Sequence, residues 1–144
     1  GNIKNQIVRD YIAKINRLLD NYRSSLDVSN FNLSLVKNLS LEDGAATLTE
    51  LTAVNTLEWA DRYSPEKPNL ILCGGGRKNN FLLEKLKKAS DRIKLIDEYG
   101  IDGDFIESQA FAYLAIRSYL KLPISFPETT GVKEPCSGGI IIKY

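Results

Sequence analysis

The chain of 144 residues contains no histidine and no methionine. Without histidine, the sequence excludes Ser–His–Asp and Cys–His catalytic arrangements and every metal site with imidazole ligands. Because a natural coding sequence begins with methionine, its absence predicts that Gly1 is a leftover of cloning or an internal cut. We therefore expect the chain to be a piece of a larger protein.

The sequence also lacks an excess of charge and a long apolar run. Its formal net charge is +1, which gives no basic field for nucleic acid and no polybasic patch for a membrane surface. No apolar run approaches the roughly 20 residues that span a bilayer, and no secretory signal pattern opens the chain. Cys73 and Cys136 lie far apart in sequence, and in a cytosolic protein we expect free thiols.

The most informative segment is a short apolar run at residues 70–73 that ends in Gly74, Gly75 and Gly76. A polar stretch and a helical pattern at residues 81–88 follow, so the segment predicts a strand, a tight turn and a helix start. Because glycine has no Cβ, such a backbone can approach a flat or charged ligand, and the helix start adds unpaired N–H groups. The turn is either part of a nucleotide site or only a connection. It matches neither the GxGxxG pattern nor the P-loop.

Several polar side chains could either bind a ligand or have only a structural role. Arg77 and Lys78 could meet phosphate oxygens or could be solvated turn residues, and for Lys78 we favour the second. Thr47, Thr49 and Thr52 lie on a helical segment with a packed apolar face, so we expect their hydroxyls to face that helix rather than a ligand.

Hydrophobic periodicity predicts the elements around the turn. Apolar residues recur at helical spacing over residues 3–22, which predicts an amphipathic helix that docks a partner or packs on its own domain. Ser40, with Asp43 three residues on, predicts the N-cap of a helix that ends before Pro65. Residues 93–96 read as a second strand, and strand, helix and strand then form a βαβ unit with parallel pairing.

The last third of the chain has one strong helical pattern. A helix from residue 104 to about residue 121 is apolar on most of its circumference, so we expect it to be largely buried. Residues 140–142 are a possible edge strand. Because two parallel strands alone leave their outer edges unpaired, we expect the sheet to continue in an upstream segment.

Acidic residues crowd in front of and into this helix: Asp97, Glu98, Asp102, Asp104 and Glu107. They could hold sugar hydroxyls or a metal ion, or they could stabilise the helix dipole and a solvated loop. We favour the loop for Asp97, Glu98 and Asp102, and an N-cap for Asp104. Glu107 shares a face with apolar residues, which predicts that it points toward packed surface. It is either a functional side chain or the returning arm of a capping box.

Four segments, in this order, resemble the C-terminal portion of the anhydro-N-acetylmuramic acid kinases, bacterial sugar kinases with the actin/hexokinase/Hsp70 fold. The segments are LEDGAATLTELTA at residues 41–53, CGGGRKNN at 73–80, GDFIESQAFAYLA at 103–115, and LPISFP with TTG within 122–131. The resemblance implies an α/β fold, the C-terminal part of an actin-like ATPase (ribonuclease-H-like) lobe. This lobe would be helix-rich with two or three mainly parallel strands, in a single fragment over residues 1–144.

The resemblance also implies an activity in the bacterial cytoplasm. The family cleaves the 1,6-anhydro ring of its sugar with water and phosphorylates O6 from ATP, giving N-acetylmuramic acid 6-phosphate in peptidoglycan recycling. The resemblance assigns two sets of binding residues in this chain. Those on the adenosine side of the nucleotide site are Gly74, Gly75, Gly76 and Asn79, and Glu107 is assigned to the sugar. The resemblance assigns no catalytic residue and no metal ligand here, because the phosphate-binding hairpin and the catalytic aspartate of the family lie upstream. ATP and Mg²⁺ would be bound mainly by that N-terminal part.

These expectations lead to one interpretation and two alternatives. The chain alone would be inactive, and its partners would be the N-terminal half of the same enzyme, the anhydro-amino-sugar and a second copy in a homodimer, with no nucleic acid or membrane. One alternative is a non-catalytic dimerisation or interaction module, or split-gene remnant, that uses the helix at residues 3–22. The other is a different sugar or acetate-type kinase of the same fold.

Overall fold

A computed structural model describes residues 1–21, 33–64 and 66–142, including their side chains except those of residues 18–21. The helices and strands, in chain order, are α1 (Asn5–Asn21), α2 (Leu41–Tyr63), β1 (Leu70–Leu72), α3 (Asn80–Ala89), β2 (Ile93–Leu95), α4 (Ile106–Tyr119) and α5 (Pro127–Thr130). Short 3₁₀ turns lie at Leu33–Val36, Gly75–Lys78 and Ile96–Tyr99. Residues 22–32, 65, 143 and 144 lie outside the described residues.

The chain divides into two compact units. Unit 1 contains Gly1–Leu72 and Gly76–Lys94, and unit 2 contains Cys73–Gly75 and Leu95–Tyr144. Unit 1 therefore holds α1, α2, α3, β1 and all of β2 except Leu95, and unit 2 holds α4 and α5. The predicted helix-rich α/β class with two parallel strands is confirmed. The finer assignment to an actin-like lobe stays a prediction.

In unit 1, α1 packs its apolar face on α2. Val8, Tyr11, Ile12 and Ile15 are buried in one cluster with Leu51 of α2. Burial in this cluster raises the pKa of the Tyr11 hydroxyl. Of the two interpretations that the sequence left open for α1, packing on its own domain is the one that the structure supports.

Polar contacts fix the start of α1 to the first turns of α2. Asp43 accepts a hydrogen bond from the backbone N–H of Asn2 at 2.7 Å and pairs with the Lys4 ammonium at 2.7 Å. The backbone N–H of Lys4 donates to the Thr47 hydroxyl at 3.0 Å, and Thr47 is 0% exposed. The predicted cap is confirmed, because the Ser40 hydroxyl accepts from the N–H of Asp43 at 3.2 Å.

A second cluster joins α2, α3 and the sheet. Ala53, Leu86 and Ile93 are buried together, and partly buried leucines of α2, α3 and β1 pack against them. The predicted βαβ unit is thereby confirmed, with β1 and β2 as neighbours in one sheet. An ion pair between Lys85 and Glu50, at 2.9 Å, adds a polar contact between α3 and α2.

Unit 2 departs from the sequence prediction at α4. We predicted a largely buried helix, and this is wrong: the structure describes every residue of α4 and none is buried. Phe111 is 64% exposed and Tyr119 is 72% exposed. The reason is that the rest of unit 2 is a loop-rich tail, which supplies too little apolar surface to cover an apolar helix.

The strand predicted at residues 140–142 is also wrong. These isoleucines are exposed and form no strand, because no described strand of unit 2 lies beside them to pair with. The tail instead forms an antiparallel bridge between Ser125 and Cys136. Cys136 and Cys73 are both free, as predicted, and both are exposed.

Arg117 attaches this tail to α4. Its Nε donates to the carbonyl of Pro123 at 2.6 Å, and its Nη1 donates to the Tyr113 hydroxyl at 3.0 Å. The guanidinium also lies 5.5 Å from the ring centre of Tyr113 and 5.9 Å from that of Phe126. Arg117 is thus one of the polar contacts that join the tail to α4, together with the hydrogen bond from the Ser118 hydroxyl to the Gly138 carbonyl.

Candidate functional site

The glycine turn that follows β1 has the predicted local structure. Gly74 has φ +73°, in the left-handed region that glycine adopts without a steric penalty. Its N–H donates to the carbonyl of Gly103 at 3.0 Å, and Gly103 is buried. Within unit 2, this hydrogen bond attaches the turn to the loop that leads into α4. Gly103 is the first residue of the family segment at residues 103–115.

The space around the glycines is open. Apart from its own chain neighbours, a methyl group in place of a hydrogen on Gly74, Gly75 or Gly76 would meet no heavy atom of the described residues within 4 Å. Gly74 needs glycine for its positive φ, but Gly75 and Gly76 do not have one. Nothing in the described fold therefore requires glycine at these two positions. A ligand that approaches the backbone closely is a physical reason for them.

Asn79 links the turn to α3. It is the N-cap of α3, and its side-chain Oδ1 accepts the N–H of Leu82 at 3.2 Å. Its own N–H donates to the carbonyl of Gly76 at 3.1 Å. This hydrogen-bonding role fixes the side chain in place. A contact between Asn79 and adenosine stays a prediction.

The two basic residues beside the glycines have different environments. Arg77 is buried, with 8% of its surface exposed, whereas Lys78 is exposed. The solvated interpretation that we favoured for Lys78 therefore agrees with the structure. For Arg77, that interpretation is wrong.

The acidic loop is organised by local hydrogen bonds. Glu98 accepts the N–H of Leu95 at 2.9 Å, and Asp102 accepts the N–H of Asp104 at 2.9 Å. Both carboxylates therefore close turns, which is the interpretation that we favoured for them. Among the residues that the structure describes, no three carboxylates or thiols are grouped so that they could hold a metal ion.

The start of α4 differs from the prediction at two acids. Asp104 is not the N-cap; Phe105 occupies that position, with no side-chain capping bond. Glu107 is exposed, so the prediction that it points toward packed surface is wrong. It stands second in the helix, whereas a capping box needs its acid at the third position. Glu107 is therefore a solvent-facing carboxylate in the first helical turn.

The predicted site residues fall in both units. Gly74, Gly75 and Glu107 belong to unit 2, whereas Gly76 and Asn79 belong to unit 1. Chemically, these predicted site residues offer an open glycine backbone, an amide side chain and an exposed carboxylate. They suit binding, and they do not by themselves form a catalytic arrangement.

The chain is similar to one family over most of its length. Residues 25–144 match the family model for anhydro-N-acetylmuramic acid kinase. A curated protein of that name from Pelagibacter ubique is 44% identical over 150 aligned residues, which cover 99% of this chain and 40% of the relative. One from Caulobacter vibrioides is 48% identical over 120 residues, 82% of this chain and 32% of the relative.

A third relative of the same name, from Agrobacterium fabrum, is 41% identical over 127 residues, 85% of this chain and 34% of the relative. The chain thus spans between 32% and 40% of the length of these relatives. The model match covers far more than half of the chain and includes all four of the segments quoted above. The chain belongs to the anhydro-N-acetylmuramic acid kinase family.

Proposed function

We propose that this chain is part of an enzyme that hydrolyses and phosphorylates 1,6-anhydro-N-acetylmuramic acid with ATP, giving N-acetylmuramic acid 6-phosphate. The family match over residues 25–144 carries the proposal. Because the chain spans only 40% of its Pelagibacter relative, the reaction is proposed for a whole enzyme of that kind. Its place would be peptidoglycan recycling in the bacterial cytoplasm. No helix in the described ranges is long and apolar enough to cross a membrane.

In this proposal, Gly74, Gly75, Gly76 and Asn79 contribute to the adenosine side of the ATP site. The open space over the three glycines supports it, because a flat nucleotide can approach a backbone that has no Cβ. Glycine at positions 75 and 76, where φ is ordinary, also supports it. Charge on the transferring phosphoryl group would be met by Mg²⁺ and donors held mainly outside this chain.

Glu107 contributes to sugar binding in the same proposal. Its carboxylate is exposed in the first turn of α4, so it can accept hydrogen bonds from hydroxyl groups. An exposed carboxylate suits this role better than one that points toward packed surface, which the sequence predicted.

By the family resemblance, the catalytic aspartate and the phosphate-binding hairpin lie upstream of the segments matched here, so we expect the chain alone to be inactive. Its partners would be the N-terminal half of the same enzyme and the anhydro-amino-sugar, with a homodimer as the assembled form. The interaction-module alternative used the helix at residues 3–22, whose apolar face packs on α2 instead. The exposed apolar surface of α4 is an observation in favour of an interaction module of another kind.

The test is a chimera in which this chain replaces the matching segment of the Pelagibacter relative. With ATP, Mg²⁺ and the anhydro-sugar, we expect the chimera to form the 6-phosphate, detected by ³¹P NMR and mass spectrometry, and the chain alone to form none. Turnover by the chain alone would overturn the expected inactivity. A folded chimera that phosphorylates another sugar or acetate, and not the anhydro-sugar, would overturn the proposed substrate.

A further inference from the structure

A charged pocket of about 470 Å³ lies in unit 1, where β1 and β2 begin. We call it the basic pocket; its charged members are Asp61, Lys67, Lys87, Lys88, Asp91 and Arg92. They come from α2, the turn before β1, the last turn of α3 and the residues directly before β2. The glycine turn follows the end of β1, so the basic pocket lies at the other end of that strand.

The lining of the basic pocket is positively charged. Four of its charged members are cations and two are carboxylates, so the lining has a formal surplus of two positive charges. The whole chain has a net charge of only +1. The pocket therefore carries more positive charge than the chain as a whole, and such a concentration attracts anions.

Contacts within the protein hold part of this charge in place. The Asp61 carboxylate pairs with the Arg92 guanidinium and lies 4.0 Å from the Lys67 ammonium. Arg92 also donates to the carbonyl of Pro68 at 3.5 Å, and only 16% of its side chain is exposed. The guanidinium is thus positioned at the pocket by the protein itself, whereas Lys87 and Lys88 are exposed.

The end of α3 explains only half of the cations. Lys87 and Lys88 lie in its last turn, where cations also offset the negative end of the helix dipole. Lys67 and Arg92 lie outside α3, and Lys67 has φ +51°, in the left-handed region that is uncommon for a residue with a Cβ. Residues in such costly conformations are often found at binding sites. Three separate segments therefore bring cations to one pocket, which a helix dipole alone does not require.

We propose that the basic pocket binds a small phosphate monoester. Guanidinium and ammonium groups are the side chains that bind phosphate in proteins. A phosphate monoester carries about −1.5 to −2 charges at pH 7, which matches the surplus of the lining. The volume is that of a small-molecule site, so it also has room for the organic group of the ester. The inference does not rest on the proposed function, because it concerns a different site.

The test is a titration of the 144-residue chain at low ionic strength, followed in two-dimensional ¹H–¹⁵N NMR spectra. The probes are glucose 6-phosphate, inorganic phosphate and unphosphorylated glucose. We expect glucose 6-phosphate to bind saturably, and more tightly than inorganic phosphate, whereas glucose should not bind. The backbone signals of residues 87–92 should shift, and that of Gly75 should not.

A pair of double variants tests whether the pocket is the site. Lys87→Gln with Lys88→Gln removes two exposed ammonium groups and should weaken the binding of glucose 6-phosphate by about tenfold or more. The matched control is Lys14→Gln with Lys133→Gln, which removes two exposed lysines elsewhere and gives the same net charge. The control should bind as the unchanged chain does, and circular dichroism should show both variants folded.

Four results would overturn the proposal. Equal losses of affinity in the two double variants would mean that only the overall charge attracts the ester. Inorganic phosphate that binds as tightly as glucose 6-phosphate would exclude a site for the monoester. Binding of a poly-glutamate peptide without binding of glucose 6-phosphate would assign the pocket to an acidic polypeptide. Shifts at Gly75 in place of residues 87–92 would assign the phosphate to the glycine turn.

Discussion

The two units bury their residues very differently. Among the described residues, every buried one except Gly103 lies in unit 1. Unit 1 has two apolar clusters, one between α1 and α2 and one around α3 and the sheet. Unit 2 has comparable apolar side chains but leaves them on its surface. The helices and strands of unit 1 bury its apolar side chains between them. In unit 2, no neighbouring helix or sheet among the described residues buries the apolar side chains of α4.

The helices α1 and α4 show why the units differ. α1 carries Arg9, Asp10 and Lys14 on exposed positions, so one face packs and the other meets water. α4 has apolar residues around most of its circumference and only two charges. An amphipathic helix buries its apolar face against one neighbouring element. A helix that is apolar on all sides needs neighbouring elements on several sides to bury its apolar surface. The described residues bury the apolar face of α1, whereas they leave most of the apolar surface of α4 exposed.

The largest expected effect contrasts a buried isoleucine with an exposed one. Ile15, which is 1% exposed, is replaced by alanine, and so is Ile116. In the chain alone, Ile15→Ala should lower the free energy of unfolding by about 2–5 kcal/mol, because it removes apolar contacts and leaves a cavity. Ile116→Ala should change it little. Urea denaturation measures both, and equal losses would show that unit 2 has a core after all.

A smaller effect is expected at the hydroxyl that fixes α1 to α2. Thr47→Val keeps the shape of the side chain but removes the acceptor for the N–H of Lys4. An unsatisfied buried N–H should cost about 1–3 kcal/mol of the free energy of unfolding. Thr52→Val is the matched control, since Thr52 is exposed and its hydroxyl donates only to the Leu48 carbonyl of its own helix. Equal urea midpoints for the two variants would contradict the role of Thr47.

The contacts of Asp43 predict a pH dependence in unit 1. The hydrogen bond from the Lys4 ammonium, followed by that from the N–H of Asn2, lowers the pKa of Asp43 from its ordinary value of 3.8. Because the pKa of Asp43 is lower in the folded protein than in the unfolded chain, the contribution of Asp43 to the free energy of unfolding is fully present above pH 3.8. The contribution is lost as the pH falls through the lower, folded value.

Asp43→Asn should therefore lower the stability at neutral pH and remove part of the loss in acid. Urea midpoints of both proteins across this range measure the difference. Parallel curves for the two proteins would exclude a contribution from Asp43.

The elements of unit 1 could be predicted from the sequence because their causes are local. The Ser40 cap, the periodicity of α1 and the apolar runs of β1 and β2 each depend on neighbours in the chain, and all were confirmed. The exposure of α4 could not be predicted in this way. Periodicity indicates that a helix is apolar all round, but burial depends on which other elements are present.

At the candidate site, the sequence predicted the turn but not its surroundings. The three glycines predict a tight turn because of their conformational freedom. Whether other residues fill the space beside the glycine backbone depends on the packing of residues that are distant in sequence. The burial of Arg77 depends on that packing too. The N-cap at Phe105 was missed because acids at 104 and 107 resemble a capping box whose spacing the helix does not use.

The smallest expected effect on stability tests the open turn. Gly75→Val places a side chain in open space at a residue without a positive φ, so the unfolding midpoint of the chain should stay nearly unchanged. If a nucleotide occupies that space, the same substitution in the Pelagibacter chimera should raise the KM for ATP by about tenfold or more, since each 1.4 kcal/mol of lost binding is a factor of ten.

Gly44→Ala is the control for this last comparison. A methyl group there would lie 3.7 Å from Val36 in ordinary contact, and alanine suits the interior of α2. It should leave the KM for ATP as it was. An unchanged KM in Gly75→Val would mean that the turn only connects β1 to α3. A loss of stability in that variant would mean instead that the turn needs its glycines for the fold.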